Sequence, residues 1–441
     1  MKKKMKNSGI EWVGEIPDNW KIERMKSCIA LREGGAWGEE ETGDSDTVCL
    51  RVADFDYDRF VFKNTSISAL TKRHYSKSTV AKLKLLKGDI VIEKSGGGDK
   101  TPVGRTVIFD KDYVALFANF MDRLRCCAFV YPKFMQYIFV TFYKNQYTRN
   151  YIKQTTGIQN LDLSLMLNRE HVPMPPIEEQ KAIAGFLDKK CGEVDALIAD
   201  IQQEIETLEQ YKRSVITEAV TKGLDPSAPM KDSGIEWVGE IPAHWGCKPI
   251  RALFLENNNK NCFRKETRAL QFKNGEIVPK HNFNADDDEY VAETILKYNI
   301  VDKGMIVING LNLNFDFVTK RVGLVHDRGI ITSAYMSFSV KDLQTVMPKY
   351  ACYLLKSYDN CAAFHNMGGG VRKILNFDEL KHNLFILPSL SEQKAIADYL
   401  DDKCKEIEGI ITDKQSQIET LEAYKKSLIY EYVTGKKEVV A

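Results

Sequence analysis

The chain repeats itself, and this constrains its fold more than any other feature. Residues 7–20 read NSGIEWVGEIPDNW and residues 232–245 read DSGIEWVGEIPAHW, an offset of 232 − 7 = 225. A second repeat, EQKAIA, begins at Glu179 and Glu392, and IETLE begins at Ile205 and Ile418, both at 392 − 179 = 418 − 205 = 213. The ends of the two halves match while their middles diverge: Trp20 to Gly157 spans 157 − 20 = 137 residues and Trp245 to Gly370 spans 370 − 245 = 125. The middles share only fragments such as Lys87-Gly88-Asp89-Ile90-Val91 beside Lys303-Gly304-Met305-Ile306-Val307. A duplicated scaffold with unlike inserts is what results when an architecture is kept and specificity is varied.

Each half closes on a long helical pattern. Leu187, Val194, Ile201, Leu208 and Val215 recur every seven residues, with Cys191, Ile198, Ile205 and Ala219 interleaved. The second copy has Leu400, Ile407, Leu421 and Leu428, with Cys404, Ile411, Ile418 and Tyr432 between them. That is a coiled-coil seam. Lys414 stands where Ile201 stands, and Lys212 and Lys425 interrupt both seams. Pro175 and Pro176 open the first helix, Ser389-Leu-Ser-Glu392 gives the second a capping box, and Gly223 and Gly435 stop them. A helix from Ile177 to Lys222 would be ~69 Å long, and the nearest partner for its apolar stripe is its twin. Val48 to Val52, Asp89 to Glu93, Val103 to Phe109, Ile306 to Ile308 and Val322 to Val325 read as strands. Tyr131 to Tyr147 and Met347 to His365 read as helices, so the globular parts are α+β.

Composition excludes several classes. With 62 Lys and Arg against 61 Asp and Glu, the chain is not a uniformly basic nucleic-acid binder, and 44 % hydrophobic residues exclude wholesale disorder. Ten cysteines without a C-x-x-C pair predict a reduced, cytoplasmic setting with thiols packed as small apolar groups. Asn7, Ser8 and Gly9 follow the basic opening where a signal peptide would be apolar, and no run approaches the ~20 apolar residues of a membrane span.

Charge is segregated, however. Val61 to Asn150 holds 16 basic and 6 acidic residues, whereas Arg32 to Arg59 holds 3 basic and 9 acidic. Inside the basic section, Glu93 to Arg105 is a glycine-rich loop whose Lys94, Lys100 and Arg105 suit phosphates or guanine. At the matching place in the second half, Asn309, Asn312 and Asn314 offer the donor and acceptor pair that fits adenine, with Lys320 and Arg321 behind them. Arg51, Ser95, Thr101, Gln271 and Lys273 complete the candidate DNA contacts. Either loop also reads as a solvated hairpin, since turn chemistry favours the same residues.

Lookalike catalytic motifs fail on spacing. Gly96 to Thr101 lacks the glycine that should precede the Lys of a P-loop. Glu179-Gln180-Lys181 and Glu392-Gln393-Lys394 spell the E-x-K of many metal-dependent nucleases but fall in the first turn of a helix. Met174 to Ile177 lacks the leading Asp or Asn of the adenine methyltransferase tetrapeptide. The sequence holds no catalytic constellation and no metal-ligand set.

The doubled GIEWVGEIPxxW, the Gly223-Leu-Asp-Pro226 hinge, the approaches Thr156-Gly157-Ile-Gln159-Asn160-Leu161 and Gly370-Val-Arg372-Lys373-Ile-Leu375, and the EQKAIA and IETLE helix repeats resemble the specificity subunit of type I restriction-modification enzymes. The resemblance covers the whole chain. It implies an α+β fold with two globular target recognition domains separated by two long antiparallel coiled-coil helices in an internal pseudo-twofold repeat. On this reading residues 1–175 are the first target recognition domain, 176–222 the first conserved spacer helix, 223–389 the linker and second target recognition domain, and 390–435 the second spacer helix. The function implied is sequence-specific binding of double-stranded DNA, each half reading one part of a bipartite asymmetric site. It further implies a chain without catalysis or bound cofactor, and partners in the cytoplasm: two methyltransferase subunits using S-adenosylmethionine, and restriction/translocase subunits using ATP and magnesium. A self-sufficient metal-dependent DNA nuclease and a structural coiled-coil protein are the competing classes.

Overall fold

The computed structural model describes residues 4–43, 46–155, 157–281, 283, 289–313, 320–367 and 373–439. The chain forms two compact units, one of Met1–Gln202 with Gln415–Ala441 and one of Gln203–Lys414. In the first, strands β1 (Ile29–Gly34), β2 (Phe55–Asp56), β3 (Val61–Phe62), β4 (Ile90–Glu93), β5 (Thr106–Ile108) and β6 (Met121–Cys126) make one sheet in the order β1-β6-β4-β5-β3-β2. Its first four strands are antiparallel: Leu31 faces Arg125, and Val91 faces both Arg123 and Val107. The unbroken Ile-Val-Ile run of β4 is buried throughout, as a central strand of the core should be. Helix α1 (Pro132–Lys144) contributes Phe134, Ile138 and Phe142 to the same core as Trp12 and Trp20. The long helix α2 (Ile177–Lys222) begins in this unit.

The second unit repeats that plan. Its strands β7 (Phe254–Glu256), β8 (Ile306–Ile308), β9 (Val322–Leu324) and β10 (Met336–Val340) lie in the order β7-β10-β8-β9, all antiparallel, matching β1-β6-β4-β5. Helix α3 (Pro348–Asn360) has 13 residues and a proline in its first turn, as α1 does. Helix α4 (Leu390–Val433) starts here. The divergent middles thus share one fold, and the shared Lys-Gly fragment has a physical cause. Gly88 and Gly304 have φ of 91° and 88°, a left-handed conformation that favours glycine. Their N–H groups donate to Phe109 O and Val325 O, each at 2.9 Å, fixing the entry to β4 and β8.

The EQK repeat has a structural function. Gln180, buried in the first turn of α2, accepts from Tyr131 N (2.7 Å) and donates to Phe129 O (3.1 Å) and Pro175 O (2.8 Å). Gln393 does the same in α4, accepting from Met347 N (2.8 Å) and donating to Thr345 O and Pro388 O (both 3.0 Å). Tyr131 and Met347 are the N-caps of α1 and α3 and lack side-chain caps, so each glutamine satisfies a helix start that is not its own. Two turns on, Asp188 accepts from Tyr137 Oη (2.7 Å) and pairs with Lys133 (3.3 Å), and Asp401 accepts from Tyr353 Oη (2.9 Å) and pairs with Lys349.

Each unit also pairs one half of α2 with the opposite half of α4, antiparallel. In the first unit Phe186 lies against Tyr432 (4.5 Å between rings) and Asp195 against Lys425 (2.6 Å). In the second, Glu204 pairs with Lys414 and Glu408 with Lys212. All three seam-breaking lysines therefore meet an acid on the facing helix. The WVGEIP copies seat on the helix ends: Tyr430 Oη donates to Trp12 O and Lys436 Nζ to Val13 O, while Trp245 packs with Val215, Ile216 and Val220.

The predicted capping box forms, with Glu392 N donating to Ser389 Oγ (3.3 Å) and Ser389 N to Glu392 Oε2 (3.2 Å). Partial burial pushes the Glu392 carboxyl up, but bonds from the Ser389 hydroxyl, the Trp245 indole and the His244 ring outweigh it and hold it at about 2. A depressed folded value contributes stability that is present above the ordinary carboxylate range and is lost as pH falls from about 4.5 towards about 2. Glu392→Gln is expected to flatten this acid limb in unfolding curves. An unchanged slope would show that the contacts do not act on the charge.

Candidate nucleic-acid interface

In the first unit the glycine-rich loop is built, not loose. Ser95 and Gly96 pair with Asn160 and Gln159 of a hairpin formed by Ile152–Thr155 and Ile158–Leu161. Ser95 Oγ donates to Asn160 Oδ1 (2.7 Å), and Val103 N donates to Gln159 Oε1 (3.3 Å). The tip closes through reciprocal bonds between Gly98 and Thr101 (3.1 and 3.2 Å), and Tyr143 Oη donates to Pro102 O (3.2 Å). Lys100 and Thr101 are exposed at that tip. Lys94 is half-buried, and its ammonium shares the buried Asp122 with Arg32, each at 2.6 Å. Arg51 pairs with Asp54, three residues along, at 3.4 Å. Lys153, on the hairpin, pairs with Asp162 at 2.8 Å and is exposed. The sequence reads Thr156 to Leu161 only as an approach to the helix, whereas Ile158–Leu161 is the partner strand of the candidate loop.

The second unit repeats the attachment with other side chains. Leu375 N donates to Gly310 O (2.9 Å) and Leu313 N to Lys373 O (3.3 Å), so the loop after β8 is again tied to the segment leading into the long helix. A Cβ on Gly310 would lie 2.1 Å from Leu375 O, which is why glycine stands there. Asn312 is exposed with φ of 54°. Asn309 accepts from Leu311 N (3.2 Å) and is half-buried, and Asn314 lies outside the described residues. Lys320 pairs with Glu209 of α2 at 3.2 Å. Gln271 and Lys273 sit on a separate hairpin, Leu270–Lys273 with Glu276–Pro279, where Gln271 Nε2 donates to Pro279 O (3.4 Å) and Lys273 is exposed.

Two expected contacts need correction. Arg105 is held by Glu93 in two bonds (2.8 and 3.1 Å) and stacks on Tyr57, with its guanidinium 3.6 Å from the ring centre. Arg321 is buried and donates to Asn309 O (3.1 Å) and Leu311 O (2.7 Å). Both guanidiniums brace their loops from behind, because their fork geometry satisfies inward-facing acceptors and their desolvation is already compensated. The Glu-x-Lys positions assemble no metal site: Lys181 pairs with Glu178 (2.8 Å), Glu392 caps its helix, and no cluster of three His, Cys, Asp or Glu suited to a metal occurs among the described residues. No helix among them is long and apolar enough to cross a membrane.

The family model for the type I restriction modification DNA specificity domain matches the chain twice, over residues 56–207 and 270–420. The provisionally assigned MjaX type I restriction enzyme specificity subunit of Methanocaldococcus jannaschii is 24 % identical over 439 residues, spanning 97 % of this chain and 96 % of that protein. The MjaVIII specificity subunit from the same organism is 27 % identical over 312 residues, covering 68 % and 70 %. A chain solved in a study of complex assembly and conformational transition of the type I R-M system superposes with a TM-score of 0.66 at 13 % identity, covering 96 % of this chain and 99 % of that one, a likeness of fold.

Proposed function

The chain belongs to the type I restriction-modification DNA specificity family, and from that we propose that it selects the DNA sequence on which a multisubunit methyltransferase and endonuclease acts. The observation that carries the reading is the repeated attachment of unlike loops to like frames: Ser95-Gly96 on Gln159-Asn160 in one unit, Gly310 on Leu375 in the other. Equivalent frames with different side chains read different bases, so the site is bipartite and asymmetric. In the first half-site Arg51, Lys94, Ser95, Lys100 and Thr101 contact DNA; in the second, Gln271, Lys273, Asn309, Asn312 and Lys320 do so. The chain itself performs no catalysis. S-adenosylmethionine, ATP and magnesium are handled by methyltransferase and translocase partners in the cytoplasm. Exchanging residues 246–366 for those of a relative should change one half of the methylated site and leave the other intact, as read by mapping methylation in cells. A change in both halves would refute the modular reading.

The proposal extends to two methyltransferase subunits per chain, and the helices support it. Leu197 and Ile410, and Tyr211 and Tyr424, are exposed pairs at 410 − 197 = 424 − 211 = 213. Beside them, Lys190 pairs with Glu193 (2.7 Å) and Lys403 with Glu406 (2.8 Å), again 403 − 190 = 213 apart. Each unit thus offers the same aliphatic, tyrosine and ion-pair surface, which suits two identical methyltransferase subunits. Tyr211→Glu or Tyr424→Glu should each reduce the bound copies from two to one by native mass measurement, and the double variant to none. Two copies on the double variant would overturn this assignment.

A further inference from the structure

Phe263 is 82 % exposed, the most solvent-exposed large apolar side chain among the described residues. It stands at the tip of the loop joining β7 to the Leu270–Lys273 strand, within Lys260-Asn-Cys-Phe-Arg-Lys-Glu266. The loop is held in shape by Asn261, which is fully buried: its Nδ2 donates to Glu266 O (2.8 Å) and Ile295 O (3.3 Å), and its Oδ1 accepts from Glu266 N (3.1 Å). Arg264 N donates to Asn261 O (2.9 Å), and Arg264 takes a φ of 50°, closing a tight turn around the phenylalanine. Residues 262–265 are all exposed, and the Lys265 ammonium lies 5.6 Å from the Phe263 ring centre. Fixing a turn by a buried amide so that it displays an aromatic ring to water gives no stability to the monomer. Such a ring among cations suits a base stack next to phosphates.

We propose that the Asn261–Glu266 turn is a DNA-contact element of the second unit, with Phe263 inserting against a base step and Lys260 and Lys265 meeting the flanking phosphates. The assignment rests on the DNA-specificity reading above and adds a residue to it. The first unit lacks this device. Its corresponding loop, between β1 and Thr47–Leu50, carries Trp37, but Arg73 lies 4.3 Å over that ring and Glu39, Glu40 and Glu41 follow it. An acidic loop repels phosphate, so insertion is confined to the second half-site.

The test uses the full chain with its methyltransferase partners and synthetic duplexes of the site methylated in cells, carrying 2-aminopurine at successive positions of the second half-site. Wild type should brighten one position, and F263A should abolish that signal and weaken binding by about 10-fold or more, while F263W retains both. Contacts in the first half-site should be unaffected, and thermal unfolding of F263A should match wild type because the ring is 82 % exposed and its cation contact is with the solvated Lys265. If wild type discriminates among duplexes and F263A behaves identically, the assignment is overturned alone. Loss of a co-purifying subunit from F263A, with its DNA affinity unchanged, also overturns it, by making the turn a protein contact. A wild-type complex that distinguishes no duplex overturns the DNA-specificity reading itself.

Discussion

Gln393→Leu is expected to destabilise the second unit by about 4 kcal/mol, more than any surface change in the chain. Leucine fills a similar volume but cannot bond, so three groups lose their partner together: the buried Pro388 O and the half-buried Met347 N and Thr345 O. An orphaned buried donor or acceptor costs ~1–3 kcal/mol, and Met347 N is a helix N-terminal amide with no side-chain cap to replace the loss. Trp237 and Trp245 belong to this unit's core and report its unfolding by fluorescence, so the denaturation midpoint measured there should fall. Gln180→Leu should do the same in the first unit, where Trp12 and Trp20 report. A loss below ~1 kcal/mol in both would mean that water replaces the amide and that the glutamines are not the link between the helices.

These glutamines show why part of the molecule was legible in its sequence and part was not. EQKAIA was visible as a repeat, and the first-turn position separated it from a nuclease motif. The glutamine's task was invisible, because its partners are backbone atoms at Phe129, Tyr131, Thr345 and Met347, whose side chains have nothing in common. The common sheet was hidden for a related reason. A left-handed glycine turn dictates the entry to β4 and β8, so Lys-Gly-x-Ile-Val survives in both, whereas β6 (MDRLRC) and β10 (MSFSV), also largely buried, begin at no such turn and share only their first methionine. In the candidate interface, composition found the half-buried Lys94 and the exposed Lys100 but could not tell a reading guanidinium from a bracing one. Arg105 was decided by Glu93, a neighbouring-strand acid, and Arg321 by carbonyls that its own loop turns inward. Phe263 carries a legible cue, an aromatic inside the basic stretch Lys260 to Arg268, but glycine- and asparagine-based loop patterns do not pick it out.

The lysines that break the heptad seams allow a sharper test, since magnitudes separate them. Lys425 and Asp195 are 9 % and 13 % exposed, and the Lys425 ammonium also donates to Asp58 O and lies 4.9 Å from the Phe60 ring centre. Lys212 and Glu408 are 27 % and 62 % exposed. Lys425→Met is expected to cost ~3–5 kcal/mol, because it leaves a carboxylate buried without its counter-charge. Lys212→Met should cost only about 0.5 kcal/mol, since Glu408 can turn to water. Adding Asp195→Leu to Lys425→Met should recover most of the loss, because an apolar pair of similar volume avoids both desolvations. The coupling energy in that cycle is then large for Asp195 with Lys425 and small for Glu408 with Lys212, although the repeat makes the two pairs equivalent in sequence. If apolar replacement restores full stability, the seam does not need the charges to hold together. Their remaining role is alignment, because Lys425 opposite Asp195 is satisfied in one antiparallel register of its unit, and a slip by one heptad would leave both of these buried charges unpaired. Equal losses for Lys425→Met and Lys212→Met, or no recovery in the double variant, would defeat this account.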